Sequence, residues 1–251
     1  MTRNLGIIGN CSYNALLKEG SVEWLCWPRP DSSFVFGPLL DREKGGVFVV
    51  EGVDTTDVRQ EYIENTNVLR TIFRCEGGEF ELIDFAPRFQ LYDRYFKPQM
   101  LVRIMRPLSG EPRARVRCEP VYEYGLIESR FWRGSNHIEY TGFPTHVRLT
   151  SNLPLTYVED QRPFLLERDR HLVLTWGEPL EAGLEDTAER FLERTIDYWR
   201  RWVKGTRIPR DYQQEVVRSA LALKLHQYED TGALLAATTT SLPEYPGSGR
   251  T

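Results

Sequence analysis

No apolar run in this sequence approaches the roughly 20 residues that a membrane-spanning helix needs. The N-terminus, Met1 to Asn10, lacks the apolar core and small-residue cleavage site of a secretion signal. These two absences make a cytoplasmic location the expectation. Cysteine is scarce. Cys11, Cys26, Cys75 and Cys118 are widely spaced with no C-x-x-C pair, so reduced core residues are expected rather than a disulfide framework or a metal centre. Cys11 and Cys26 are the one pair that a hairpin could bring face to face. His137, His146, His171 and His226 have no ligand spacing, so neither a metal nor another cofactor is expected. Basic charge is not in excess: 32 Lys and Arg against 36 Asp and Glu give a net charge of −4. Arg is dispersed rather than clustered, which argues against nucleic acid as a partner.

Apolar residues, by contrast, are ample for a packed core, at 41% of 251 residues. That length suits one large domain or two small ones. Residues 15–27 read as a hairpin turning at Glu19-Gly20. Pro28 to Gly37 follows as an ordered loop, because two prolines remove backbone donors. Period-two alternation then predicts strands at 45–50, 67–74 and 79–85, with a turn at Glu76-Gly77-Gly78. Residues 100–106 and 113–119 read as a second strand pair, the latter with an exposed Arg stripe. Further strands are expected at 130–133, 137–140, 146–150, 155–158 and 171–176. Many short strands with turns between them indicate a large antiparallel β-sandwich.

The pattern changes at Leu184. Leu184, Ala188, Phe191, Leu192, Ile196, Trp199, Trp202 and Val203 recur every three or four residues, which is an amphipathic helix ended by Gly205. A second helix from about Asp211 to Tyr228 is apolar on more than one face and expects neighbours on several sides. The fold class is therefore mainly β with C-terminal α. The expected divisions are a sandwich at 1–180, a linker helix at 181–209 and the start of a helical domain at 210–251.

Two motifs carry a family resemblance. Gly9-Asn10-Cys11, then Glu19-Gly20-Ser21-Val22-Glu23-Trp24-Leu25-Cys26 and Arg29-Pro30-Asp31-Ser32, stand near the front of the chain. Ser219-Ala220-Leu221-Ala222-Leu223-Lys224, then Thr239-Thr240-Ser241-Leu242-Pro243-Glu244 and Gly249-Arg250, stand at its end. Together they resemble glycoside hydrolase family 15, the glucoamylase and trehalase-like glycosidases. The front motif resembles the trehalase-like N-terminal domain, with Glu19, Glu23 and Pro30 as mild departures. The end motif resembles the entrance to the (α/α)6 catalytic barrel, so a missing C-terminal catalytic domain is expected.

The resemblance implies an inverting hydrolase of an α-glucan, a maltooligosaccharide or trehalose. Its two catalytic glutamates would lie downstream, leaving this chain inactive alone and serving to support the barrel and shape the cleft. Glu79 and Glu81, two apart on one strand, read as a solvated face rather than a catalytic pair. Trp27, Arg29 and Asp31 are candidate substrate contacts, with Trp24, Phe34 and Phe36 beside them. The rings either stack on glucose units or pack the sandwich. Glu244 and Arg250 either bond sugar hydroxyls or hold their loop. The rival readings are a free-standing carbohydrate-binding or structural module and a truncation product with no function.

Overall fold

The computed structural model describes residues 5–180, 183–243, 245 and 247. The first strands are β1 (Gly6–Gly9), β2 (Asn14–Lys18), β3 (Ser21–Cys26), β4 (Phe34–Phe36), β5 (Val47–Gly52), β6 (Thr55–Tyr62), β7 (Leu69–Cys75) and β8 (Gly78–Phe85). Next come β9 (Phe89–Leu91), β10 (Arg94–Phe96), β11 (Met100–Gly110), β12 (Arg113–Glu119), β13 (Val121–Tyr122) and β14 (Ile127–Glu128). The remaining elements are β15 (Arg130–Arg133), β16 (His137–Thr141), β17 (Val147–Ser151), α1 (Thr156–Glu159), β18 (Phe164–Leu165), β19 (Arg170–Trp176), α2 (Leu184–Lys204) and α3 (Gln213–His226).

Two antiparallel sheets form the sandwich. One runs β1-β2-β3-β5-β12-β18 with β4 attached to β3; the other runs β15-β16-β17-β19-β11-β8-β7-β6. Their inner faces meet in a core containing Trp27, Phe36, Phe48, Phe73, Phe80, Leu101 and Val116. Helix α2 covers the outer face of the second sheet. Its Ala188 and Leu192 pack on Ile83, Phe85, Val102, Ile104 and Val173. This third layer explains why β8 and β11 are buried on both sides over much of their length and do not alternate as a one-sided strand would. Helix α3 then buries Val217, Leu221 and Leu225 against Trp199 and Cys11. Among the described residues only one of its faces is covered, and Leu223 is 65% exposed.

The Glu19-Gly20 turn matters beyond its hairpin. Glu19 and Gly20 have φ of 49° and 86°, the left-handed pair that a two-residue hairpin loop uses. A Cβ on Gly20 would sit 2.1 Å from the Val50 carbonyl oxygen. Gly20→Ala is therefore expected to cost at least about 1–3 kcal/mol, read as a lower urea midpoint with unchanged slope.

Three expectations need correction. β11 and β12 are not partners: β11 pairs with β8 and β19, whereas β12 lies in the other sheet between β5 and β18. Alternation marks a strand but does not say which sheet takes it. Residues 156–159 form a helical turn rather than a strand. Pro154 starts it, accepting from the Tyr157 N–H at 3.0 Å, and Leu155 and Val158, three apart, both reach the core. Glu81 is not solvated. It is 8% exposed and accepts from Arg70 at 2.5 Å, whereas Glu79 pairs with Arg74 nearer solvent. The four cysteines are free and buried, Cys11 against Trp199 and Cys26 against Trp24.

Candidate functional site

The loop after β3 projects polar groups from an apolar base. Trp24 and Cys26 form a small cluster with Phe34 and Val121, and Leu242 packs against it. Trp24 and Phe34 have ring centroids 5.3 Å apart. Trp27 faces the other way. It is 0% exposed, edge-on to Tyr13 at 5.3 Å and tilted against Trp176 at 6.4 Å. Its ring is enclosed by packing, and neither of its faces is open to a sugar. Phe36 is likewise in the core, against Phe48.

Arg29 and Asp31 differ. Arg29 donates to Asp31 through Nε at 2.9 Å and Nη2 at 2.8 Å, and their side chains are 57% and 56% exposed. The Arg29 guanidinium lies 5.7 Å from the centre of the Tyr228 ring. Tyr228 donates to Asp230 at 3.1 Å, and Lys97 bonds Asp230 at 2.5 Å. Residues from three distant parts of the chain thus meet on one polar rim. Glu244 and Arg250 lie outside the described residues.

A buried anchor holds this rim in place. Arg88, 1% exposed, donates to both oxygens of Glu229, at 2.9 and 2.8 Å, and to the Asn10 carbonyl at 2.7 Å. Its guanidinium sits 4.7 Å and 4.8 Å from the ring centres of Tyr95 and Tyr198. Asn10 in turn donates to the Pro98 carbonyl at 2.7 Å. The backbone closes the link, with Glu229 N–H donating to the Cys11 carbonyl at 2.9 Å. Further along, Thr240 donates to the Pro30 carbonyl at 3.3 Å, Cys26 Sγ lies 3.3 Å from Ser241 Oγ, and Tyr124 donates to the Ser241 carbonyl at 3.3 Å. The C-terminal loop is stitched to the very hairpin that carries the front motif.

The chemistry of these groups is limited. The hydrogen bonds from Arg88 lower the Glu229 carboxyl to about 2, with Lys97 adding to the effect. Lys97 likewise holds Asp230 below the usual range. Both are ionised at neutral pH and cannot give up a proton there, so neither suits a general acid, whose pKa must be raised. Burial pushes the Cys26 thiol up to about 12, which removes it as a nucleophile. The arginine, the lysine, the tyrosine hydroxyl and the ionised carboxylates of the rim are groups that can orient hydroxyls.

Sequence reasoning selected Arg29 and Asp31 but missed Arg88, Lys97, Tyr228, Glu229 and Asp230. One signal was available. Arg88 is a lone cation set between Pro87 and Phe89 in the apolar stretch Phe85-Ala86-Pro87-Arg88-Phe89, and a charge so placed needs a partner.

Residues 2–153 match the family model described as trehalase-like, N-terminal. The chain is 32% identical to a trehalase of Thermoplasma volcanium, over 98% of this chain and 40% of that protein. It is 31% identical to a trehalase of Mycolicibacterium smegmatis, over 98% of this chain and 41% of that protein. Trehalase 1 of Sulfolobus acidocaldarius is also 31% identical, over 98% of this chain and 41% of its own length. The chain thus spans about two fifths of the length of these curated relatives. No solved structure matches it.

Proposed function

The chain belongs to the trehalase-like N-terminal family, and from that premise we propose that it is the front part of a glycoside hydrolase acting on an α-glucoside. Trehalose is the first substrate to test, with maltooligosaccharides and α-glucan next. The observation that carries the reading is similarity to trehalases over 98% of the chain, reaching past the sandwich into α3 and its loop. The proposed division is a sandwich at 1–180, a linker helix at 181–209 and the beginning of a family 15 catalytic barrel at 210–251. The exposed Leu223 supports a helix that has a further neighbour.

On this reading the chemistry is inversion by two carboxylic groups roughly 6.5–9.5 Å apart, one protonating the leaving oxygen and one activating water. Both belong to the part beyond this chain. The sandwich supports the barrel, and Arg29 and Asp31 at the rim bond sugar hydroxyls, with the buried Trp27 fixing their loop from below. Glu244 and Arg250 extend the same edge. A cytoplasmic setting is part of the proposal, supported by four free, buried thiols.

The 251-residue chain is expected to release no glucose from trehalose or maltooligosaccharides, while a protein that continues to the relatives' full length does. Turnover that copurifies with the short chain would overturn the division of labour. In the long protein, Asp31→Ala is expected to raise KM about tenfold with kcat little changed, the mark of a contact made equally in ground and transition states. An unchanged KM removes Asp31 from the rim.

A further inference from the structure

A cavity of about 800 Å³ opens between β12, the β13–β14 hairpin and strands β15 and β16. None of the rim residues described above lines it. One wall is apolar. Phe131 and Leu126 are 52% and 85% exposed, and Phe131 meets Tyr140 edge-on at 6.4 Å. Tyr140 is fixed by a hydrogen bond to the Cys118 carbonyl at 2.8 Å.

The remaining wall is acidic, but not uniformly free. Glu119 is held by Arg117 at 2.7 Å and Gln161 at 2.7 Å. Glu159 Oε2 accepts from Arg133 at 3.1 Å. Among the described residues, the side chains of Glu43, Glu128 and Lys44 have no ion-pair partner. Glu159 Oε1 is buried away from the cavity, so the exposed Glu128 carboxylate is the acceptor that a hydroxyl in the cavity can reach. An anion would meet carboxylates and a cation would meet Lys44. A neutral, donor-rich molecule with an apolar ring face suits both walls.

The hairpin at the cavity's edge is also strained. Glu123, Tyr124 and Gly125 follow one another with φ of 50°, 57° and 83°. Side-chain-bearing residues in this region cost on the order of 1 kcal/mol or more each and gather at binding sites. The turn is held from behind, where the Tyr124 ring stands edge-on to Phe34 at 5.6 Å.

We propose that this cleft is a glycan-binding site separate from the rim, with Phe131 stacking on one sugar ring and Glu128 accepting its hydroxyls. That the ligand is a neutral polyhydroxyl ring follows from the cleft alone. That it is an α-glucosyl oligosaccharide rests on the function proposed above.

Calorimetry on the 251-residue chain, with maltoheptaose and cellohexaose as probes, tests both parts. Maltoheptaose is expected to bind. Phe131→Ala and Glu128→Gln, both on exposed side chains, are each expected to weaken binding about tenfold with unchanged circular dichroism, and Arg74→Ala, an exposed side chain outside both the cleft and the rim, leaves it intact. Binding that survives both cleft variants, or is lost in Arg74→Ala, overturns the cleft. No heat with either sugar at millimolar concentration overturns it too. Cellohexaose binding that disappears in Phe131→Ala, without maltoheptaose binding, upholds the cleft and removes the α-glucosyl assignment. Glucose release by the full-length protein is judged separately.

Discussion

Arg103→Ala is expected to lower the stability of the sandwich by about 3–5 kcal/mol, a large part of the roughly 5–15 kcal/mol of an ordinary domain. Arg103 is 0% exposed between the two sheets, and its partner Asp84 is equally buried. The guanidinium donates to Asp84 Oδ1 at 2.7 Å and Oδ2 at 3.3 Å. It also bonds the Gly20 carbonyl at 2.6 Å and the Phe48 carbonyl at 3.2 Å, and sits 4.6 Å from the centre of the Phe48 ring. One side chain of the helix-covered sheet thus closes hydrogen bonds into the opposite sheet. Removing it strands a buried carboxylate and takes a donor from two buried carbonyls, of which Gly20 keeps the Val50 N–H at 3.0 Å. Asp84→Leu alone is expected to be about as damaging, because it strands the guanidinium instead. The double variant Arg103→Met/Asp84→Leu removes both charges and should recover most of the loss. Urea melts of the four proteins give the coupling directly. If the single variants stay within about 1 kcal/mol of the parent, the pair is not a pillar of the fold.

Breaking the Arg88–Glu229 pair should act on one part of the molecule. Arg88→Ala is expected to cost about 3 kcal/mol, the low end for a buried pair, because Glu229 keeps 26% of its side chain in water. Hydrogen exchange should show α3 and residues 228–242 losing protection while β8 and β11 keep theirs. The pH dependence has a definite sign. Glu229 titrates at about 2 in the folded chain against an ordinary 4.5. Its contribution is present above the ordinary value and is lost as the pH falls from about 5 towards 2. Glu229→Gln should flatten that limb of the stability profile relative to the parent. An equally steep acid limb in both proteins would mean that other carboxylates govern it.

The regular parts of this fold were written in local patterns. Alternation located β7 and β12, and the three-to-four spacing from Leu184 to Val203 located α2 between its acidic start and Gly205. Three kinds of feature escaped. β6 carries Thr55-Thr56-Asp57-Val58-Arg59-Gln60-Glu61-Tyr62 and is an edge strand with little apolar signal. Sheet membership depends on pairings between segments far apart, which no local period encodes. The rim was legible only in its contiguous piece, Arg29 to Asp31. Its other half comes from residues near 97 and 229, and their meeting depends on Arg88, whose partner lies 141 residues away. Trp27 shows the opposite limit: its place in a motif said nothing about which way the ring points, and it points into the core.

That separation has a consequence for how the molecule is made. A ribosome adds about 5–20 residues per second, so the 141 residues between Arg88 and Glu229 take on the order of 10 s. Every sandwich strand has left the exit tunnel before Glu229 does. Through that interval the nascent sandwich carries an unneutralised guanidinium beside Tyr95, and Cys11 lacks the Lys224 carbonyl that its thiol later meets at 3.3 Å. One late step in folding is therefore electrostatic: the Glu229 carboxylate, made after the whole sandwich, quenches a charge that has waited since Arg88 was added.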